Sequence, residues 1–254
     1  MITIKDTAAL KIMKQAGQLL CQVVDIVASS IKVDVSTLEL DEIIAKELKA
    51  RKMLSQTMGY HGYKHSSCIS INDEVVHGVP SAKKKLKEGD LVKVDVCAAW
   101  NGYCADMTRS YFVGSPAQQA QKLVAVAQSA LKKGIEMARP GNHLSDISYA
   151  IQQEVEKHGY GVVRDFAGHG IGRTMHEDPE ILNYGKPGKG PVLKPGMTFA
   201  LEPMITMGDH AVYIAQDGWT VKTVDKSLAA HVEDTIAITQ NEPEILTYCS
   251  TQKV

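Results

Sequence analysis

The stretch LKEGDLVKVD (residues 86–95) returns in altered form as LKPGMTFALE (residues 193–202). Both copies begin with Leu-Lys, any residue and a glycine. Both then continue as a strand-like run that ends in a carboxylate six residues after the glycine, Asp95 in the first copy and Glu202 in the second. A match of this kind predicts an internal repeat, with a fold built from two similar halves.

The segments that precede the two copies follow the same order, which supports the repeat. Apolar residues at helical spacing predict two helices before each copy. The predicted helices span residues 6–30, 36–51, 116–138 and 143–158. We therefore expect an α/β (α+β) fold in a single catalytic domain, residues 1–254. Its internal halves, about 1–113 and 114–254, would be related by a pseudo-twofold axis with the site between them.

The repeat also supplies a second pair of acids. Asp106-Met-Thr108 follows the first copy, and Glu233-Asp-Thr235 follows the second. In the first half, residues 91–113 read as a hairpin around Asn101-Gly102, a strong signal for a two-residue turn. That turn makes the numbers of paired residues sum to 203, so Asp95 and Asp106 become diagonal neighbours on one face. Their Cα atoms would lie roughly 7–8 Å apart, close enough for both carboxylates to reach one ion.

Two other acids and three histidines extend this candidate site. Glu202 lies in the apolar run FALEPMI, where an unpaired charge would be costly, and Glu233 precedes the strand-like run TIAIT. The glycine-rich stretch GHGIGRTMHEDP cannot form a regular helix, and it carries His169 and His176 seven residues apart. His77 in EVVHGVP is a further candidate.

This set of side chains predicts a dinuclear metal site. Carboxylates and imidazoles are hard-to-borderline ligands that suit Mn, Fe(II), Co or Zn. Four acids exceed what one ion needs, so we expect two divalent ions about 3.5–4 Å apart, with hydrolysis as their chemistry. Two alternatives stay open from the residues alone. The acids could lie on a solvated sheet face, or Cys97 and Cys104 could form a thiolate zinc site on the same hairpin.

Composition excludes several classes of protein. The net charge of -1 gives no support for DNA or RNA as the main partner, and the only basic run, residues 83–87, suits a solvated loop or a weak ribosome contact. Lysines interrupt the apolar stretches of MITIKDTAALKIMKQ, which predicts neither a signal peptide nor a membrane span. Five cysteines without a CxxC pair favour reduced thiols in a cytoplasmic protein.

With GHGIGR, LKPGMTFALEP and DGWTVKT, the five residues Asp95, Asp106, His169, Glu202 and Glu233 resemble the type I methionine aminopeptidases. The resemblance covers almost the whole chain. It implies the pita-bread fold, in which a central antiparallel sheet with outer helices is formed by two pseudo-twofold halves. It also implies removal of the N-terminal methionine from nascent proteins, with a preference for small uncharged second residues.

The resemblance implies a role for each of the five residues. Asp95 would chelate one ion, Asp106 and Glu233 would bridge both ions, and His169 and Glu202 would bind the second. A water or hydroxide between the ions would attack the scissile carbonyl. Glu202 would then carry its proton to the leaving amine.

The resemblance further implies substrate contacts. His77 and His176 would hydrogen-bond the scissile amide and stabilise the oxyanion. The family's methionine pocket corresponds here to an apolar and partly aromatic set, which suits a flexible thioether. Its members are Tyr60, His61, Tyr63, Cys68 and Trp219.

Four positions depart from the usual family pattern: Thr57, Cys97, Met175 and Asp234. None is a ligand position, so we expect effects on pocket shape and metal preference and no change of reaction class. Two other functions remain alternatives, a Xaa-Pro aminopeptidase of the same fold and a non-catalytic binding protein of that fold. The expected partners are N-termini of nascent polypeptides, with any transient ribosome contact made by the domain's own surface. We expect a monomer without membrane or DNA contact.

Overall fold

The structure, a computed structural model, describes residues 1–249. The described part of the chain contains four α-helices, one short 3-10 helix at Tyr60–Gly62 and fourteen strands. The helices are α1 Thr7–Ala28, α2 Thr37–Ala50, α3 Gln118–Met137 and α4 Leu144–Glu156. The strands of the first half are β1 Leu54–Ser55, β2 Cys68–Ile71, β3 Leu91–Trp100 and β4 Tyr103–Phe112. Those of the second half are β5 Gly161–Val162, β6 Gly168–Gly170, β7 Glu177–Ile181, β8 Thr198–Leu201, β9 Met204–Thr206, β10 Val212–Ile214, β11 Val221–Thr223, β12 Ala229–His231, β13 Glu233–Ala237 and β14 Glu244–Ile245.

The four predicted helices are confirmed to within a few residues, and local sequence explains where two of them begin. The Asp6 carboxylate accepts a hydrogen bond of 2.8 Å from the Ala9 amide at the start of α1. Ser36 and Glu39 form the reciprocal capping box at the start of α2. Each cap satisfies backbone donors that have no partner inside the helix. None of the helices in residues 1–249 is long and apolar enough to cross a membrane.

The predicted hairpin and its register are also confirmed. Asn101 and Gly102 take positive φ angles of 47° and 78°, as a two-residue turn between twisted strands requires. Asp95 pairs with Thr108 and Cys97 pairs with Asp106 across β3 and β4. Val92, Val94 and Val96 of β3 point to the opposite face. There they belong to one core cluster with apolar residues of α1 and α2. Asp95 and Asp106 therefore share the face that looks away from these helices.

The two halves meet at the centre of one sheet. Its strand order is β1-β3-β4-β13-β8-β6-β7, and β4 pairs antiparallel with β13 at the middle. There Glu233 lies opposite Thr108 and Asp234 lies opposite Met107. The two acid-x-Thr segments thus pair with each other about the pseudo-twofold axis. This arrangement brings the acids of both halves to one place.

Two chain segments of the second half leave the central sheet and continue in the small three-stranded sheet: β8 continues as β9, and β12 precedes β13. β8 pairs with β13 as far as Leu201 and Asp234, whereas β9 pairs with β12 from Met204 and His231 onward. The chain changes sheet at Glu202-Pro203 in one strand and at Val232 in the other. Proline cannot donate a ladder hydrogen bond, which suits such a break. The break places Glu202 beside the central sheet, near the acids of the hairpin.

The cysteine prediction is wrong for two of the five residues. Cys21 on α1 and Cys249 form a disulfide across a sequence separation of 228 residues, with their Cα atoms 5.5 Å apart. Cys68, Cys97 and Cys104 are free and buried. The C-terminal segment lies directly against α1, where Gly17 lets the Leu246 carbonyl approach the helix backbone. Proximity of this kind arises from tertiary packing, so cysteine spacing along the chain gave no sign of it.

Candidate metal centre

The four predicted acids converge on one cavity of about 240 Å³. Asp106 and Glu233 are almost fully buried, at 5% and 2% exposure. Burial raises the pKa of Asp106 to about 6. For Asp95, Glu202 and Glu233, burial and the charge of Asp106 together raise the pKa well above the ordinary carboxyl value. Carboxylates held this close repel one another unless a cation compensates their charge.

Backbone and side-chain hydrogen bonds hold the acids in place. The Thr108 hydroxyl donates to Oε2 of Glu233 over 2.9 Å, and the Arg109 guanidinium donates to the Glu233 carbonyl oxygen. The Asn183 amide donates to the Glu202 carbonyl oxygen over 3.0 Å. The Thr235 hydroxyl donates to the Asp106 carbonyl oxygen over 2.8 Å. Side chains of β4 and β13, with Asn183 from the loop after β7, therefore hold the Glu233 carboxylate and the backbone of three acids.

His169 is oriented as a ligand. Its Nδ1 lies 2.9 Å from the Gly170 carbonyl oxygen, which can only accept, so Nδ1 carries the hydrogen. The Nε2 lone pair then faces the acids, 3.6 Å from Oε1 of Glu202 and 3.9 Å from Oδ2 of Asp106. Burial, together with the nearby His176, lowers the pKa of His169 to about 4. The ring is neutral near pH 7, the form in which imidazole binds metals.

The residues present fit a divalent metal centre. Asp106, His169 and Glu233 each offer one ligand atom, and these atoms lie within 4.8 Å of one another. Asp106 Oδ1 and Glu233 Oε1 are buried without a hydrogen-bond partner in the described part of the chain. Oxygens of this kind carry a large desolvation cost unless a cation takes them as ligands. Asp95 and Glu202 line the same cavity.

Two further histidines stand at the cavity wall. The pKa of His77 is lowered to about 4 by burial and by the neighbouring His176, and its ring meets Phe166 edge-on at 5.5 Å. His176 contacts His169 ring to ring at 4.4 Å. Its Nδ1 lies 3.1 Å from the Tyr60 hydroxyl, which leaves Nε2 for other partners. Both predicted substrate histidines therefore border the acids.

Four of the five residues predicted to form the methionine pocket lie in the wall of the cavity. Tyr60, Tyr63, Cys68 and Trp219 line it. The Tyr63 ring packs against Trp219 at 4.9 Å, and its hydroxyl donates to the Ser67 carbonyl oxygen over 3.0 Å. The exception is His61, which is exposed and does not line the cavity. Its ring packs against the ring of Tyr60, with the two centroids 4.4 Å apart. Its part in substrate binding stays a prediction.

Residues 11–240 match metallopeptidase family M24. A methionine aminopeptidase from Clostridium acetobutylicum is 46% identical over 249 residues, which cover 98% of this chain and 100% of that relative. One from Bacillus subtilis is 43% identical, covering 97% and 99%. The chain belongs to metallopeptidase family M24. The crystal structure of the methionine aminopeptidase from Rickettsia prowazekii superposes on this M24 member with a TM-score of 0.96 at 42% identity, covering 98% and 100% of the two chains.

Solved structures also confirm the expected pita-bread fold and separate two branches of it. A prolidase from Pyrococcus furiosus has a TM-score of 0.77 at 26% identity. It covers 97% of this chain, but only 66% of the prolidase is matched. The prolidase is thus the longer protein, whereas the matched methionine aminopeptidases agree with this M24 chain in length.

Three of the four departing positions line the cavity of this M24 metallopeptidase: Thr57, Cys97 and Met175. The Thr57 hydroxyl donates to the His65 carbonyl oxygen over 3.0 Å, so it braces the loop that carries the aromatic residues. Asp234 points elsewhere and pairs with Arg109 over 2.6 Å. The expectation that these positions affect pocket shape therefore applies to the first three residues.

Sequence reasoning missed two polar residues of the M24 site. Thr108 holds Glu233, and its signal was present in the paired acid-x-Thr segments, where the threonines are repeated along with the acids. His231 lies 3.4 Å from Glu202, between Ala230 and Val232 in an otherwise apolar run. No local pattern marks it, because only the pairing of β12 with β9 brings it to the site.

Proposed function

We propose that the cavity is the active site of a metal-dependent aminopeptidase that removes the N-terminal methionine from nascent proteins and prefers small uncharged second residues. One observation carries this proposal. The five predicted metal ligands and an apolar pocket with two aromatic walls lie in the same cavity. The relatives that match this chain over nearly their whole length are named methionine aminopeptidases.

The residues suit two divalent ions. Asp95 would hold one ion, Asp106 and Glu233 would reach both, and His169 and Glu202 would hold the other. The mixed oxygen and nitrogen donors accept Co, Mn, Fe(II) or Zn. When bound, such ions lower the pKa of water and polarise the scissile carbonyl.

The side chains of the chain itself then orient the substrate and carry its proton. Glu202 takes the proton of the attacking water and delivers it to the leaving amine. His77 and His176 donate hydrogen bonds to the scissile amide and to the oxygen that gains negative charge. The depressed pKa of His77, about 4, keeps it neutral at working pH, so it adds no positive charge beside the metal ligands.

The apolar and aromatic part of the cavity lining would select methionine. Tyr63 and Trp219 supply rigid aromatic surface, and Cys68 supplies a small polarisable wall. A thioether side chain is flexible and polarizable, so it packs well against aromatic rings. The free α-amine of the substrate would reach one of the metal ions, which accounts for action as an aminopeptidase and not as an endopeptidase.

We extend the proposal to the cellular setting. A nascent-chain substrate favours a cytoplasmic enzyme, although the Cys21–Cys249 disulfide is unusual in a reducing compartment. We further propose a monomer formed by one catalytic domain. Any transient ribosome contact would use the surface of that domain. The Xaa-Pro alternative is less well supported, because the prolidase is the less similar neighbour, at 26% identity. The non-catalytic alternative is less well supported, because such proteins usually lose ligands and all five are present here.

The substrate proposal is tested with matched peptides. Metal-loaded protein is incubated with Met-Ala-Ser, Met-Lys-Ser, acetyl-Met-Ala-Ser and Ala-Pro-Ser, and released amino acids are quantified. We expect methionine from the first peptide, far less from the second, and none from the acetylated one, which lacks the free amine. Release of alanine from Ala-Pro-Ser with inert methionine peptides would favour the Xaa-Pro alternative. No release from any peptide would favour a binding protein.

A further inference from the structure

His231 is a nearly inaccessible histidine beside the metal centre, with no role in the mechanism above. Its exposure is 2%. It ends β12 and pairs with Met204, two residues after Glu202. Its position is fixed from behind, because the Ser110 hydroxyl donates to the His231 carbonyl oxygen over 2.9 Å. Lys93 holds the start of the same strand by donating to the Ala229 carbonyl oxygen over 3.0 Å.

The imidazole of His231 approaches one oxygen of Glu202. Its Nε2 lies 3.4 Å from Oε2 of Glu202, while His169 Nε2 lies 3.6 Å from the other oxygen, Oε1. The two rings therefore address different oxygens of one carboxylate. His231 Nε2 makes no hydrogen bond with any described residue, although it is buried. A separation of 3.4 Å exceeds an ordinary N–H···O bond by only a few tenths of an ångström.

We propose that His231 is a positioning residue for Glu202, donating from Nε2–H to Oε2 and so turning Oε1 toward the metal ligands and the substrate. The inference rests on the proposed function, in which Glu202 carries the proton. A carboxylate that both binds metal and moves a proton works only if its rotation is fixed. A donor on Oε2 supplies that restraint and favours the ionised form of the acid.

The geometry argues against a role in packing alone. A buried polar nitrogen without a partner is costly, and an apolar residue of similar size would avoid that cost. The side chain is aimed at the single acid that the mechanism assigns two tasks. His158 provides a comparison, since its Nε2 lies 3.8 Å from Oε1 of Glu154 in a part-exposed pair outside the cavity lining.

The test compares four variants of the metal-loaded enzyme on Met-Ala-Ser. His231→Gln keeps an N–H donor near the position of Nε2, His231→Leu removes it, and His231→Asn carries a donor too short to reach Glu202. His158→Leu is the control. We expect kcat to fall about 10–100-fold in the Leu and Asn variants with KM within about twofold, as is typical when a partner of a metal ligand is lost. The Gln variant should stay within about fivefold of wild type, and the control should match wild type.

A second readout does not depend on turnover. Titration of metal-stripped protein with Co(II), followed by calorimetry and visible absorption, should show one weakened binding event in His231→Leu and near-normal binding in His231→Gln. If His231→Leu does not fold, the Gln and Asn variants still differ as predicted. Equal kcat and equal Co(II) binding in wild type, Leu and Asn would overturn the proposal, as would a Gln variant as impaired as Leu. Inactive wild type with the predicted Co(II) pattern would instead refute the proposed function alone.

Discussion

At the scale of single residues, the centre is a set of buried acids that repel one another. Asp106 illustrates this, since burial raises its pKa from 3.8 to about 6. The neighbouring His169 is kept neutral, with its pKa lowered to about 4 by burial first and by His176 second. Protons and a metal cation compete for these acids. The cation binds well only at a pH that is high enough to ionise the acids.

This balance predicts a pH dependence of metal binding. Between the ordinary pKa of Asp106 and its native value of about 6, the folded metal-free state holds more protons than the unfolded state. The free energy of unfolding of the metal-free protein should therefore fall as the pH rises through this window. Metal binding displaces these protons, so its stabilising effect should be greater at pH 7.5 than at pH 5. Thermal unfolding with and without Mn(II) at both pH values measures this stabilisation. A larger stabilisation by Mn(II) at pH 5 would contradict the proposal that the metal replaces protons on these acids.

Thr108 gives a second prediction at this scale. Replacing it with alanine removes the 2.9 Å hydrogen bond to Oε2 of Glu233 and leaves that buried oxygen without its donor. We expect a loss of about 1–3 kcal/mol in the free energy of unfolding of the metal-free protein. Metal affinity should fall by about tenfold. Thr108→Ser retains the hydroxyl and should preserve metal affinity; equal affinities for the alanine, serine and wild-type proteins would refute the role given to Thr108.

At the scale of elements, the hairpin β3-β4 sets the position of Asp95 and Asp106, two of the proposed metal ligands. Its register followed from Asn101-Gly102 and from strand alternation, both of which are local properties of the sequence. The strand changes near Glu202-Pro203 and Val232 were not predicted. They depend on which short strands pair across the molecule, so no periodicity within the segments reports them.

The turn itself can be tested by substitution. Gly102 has φ of 78°, and a Cβ there would meet only Arg173 Nη1, at 3.6 Å. Gly102→Ala should therefore cost backbone strain alone, about 1–2 kcal/mol in the free energy of unfolding. Because the register is held by ten residue pairs along the hairpin, kcat of the folded enzyme should be unchanged. Denaturant unfolding and a peptide assay test this, with Asn101→Gly as a control that tolerates the same backbone conformation. A large loss of kcat in Gly102→Ala with unchanged stability would contradict this prediction.

At the scale of the whole molecule, both halves contribute acids to the centre, and the C-terminal segment is bonded to residues of both. The Thr247 hydroxyl donates to Asp234 over 2.7 Å, and Cys249 is bonded to Cys21 on the first helix. The duplication could be predicted from the sequence, because the acids and the residues around them repeat. The disulfide was not, since its two cysteines share no motif and meet only after both halves have packed.

The disulfide predicts a redox dependence of stability. Opening a link across 228 residues should lower the free energy of unfolding by about 2–5 kcal/mol. Chemical denaturation of the oxidised protein with and without a thiol reductant measures the difference. The double variant Cys21→Ser, Cys249→Ser should resemble the reduced protein and should not respond to reductant. A reductant effect that persists in the double variant would show that another pair of cysteines is responsible.

The acids of both halves form one proposed metal-dependent peptidase site, and a metal titration tests this most directly. Metal-stripped protein is titrated separately with Mn(II), Fe(II), Co(II) and Zn(II), while methionine release from Met-Ala-Ser is followed for wild type and Asp106→Asn. We expect no release without metal, restoration by at least one ion, and almost none in Asp106→Asn under any ion. Release by the stripped protein, or full activity of Asp106→Asn, would contradict the account.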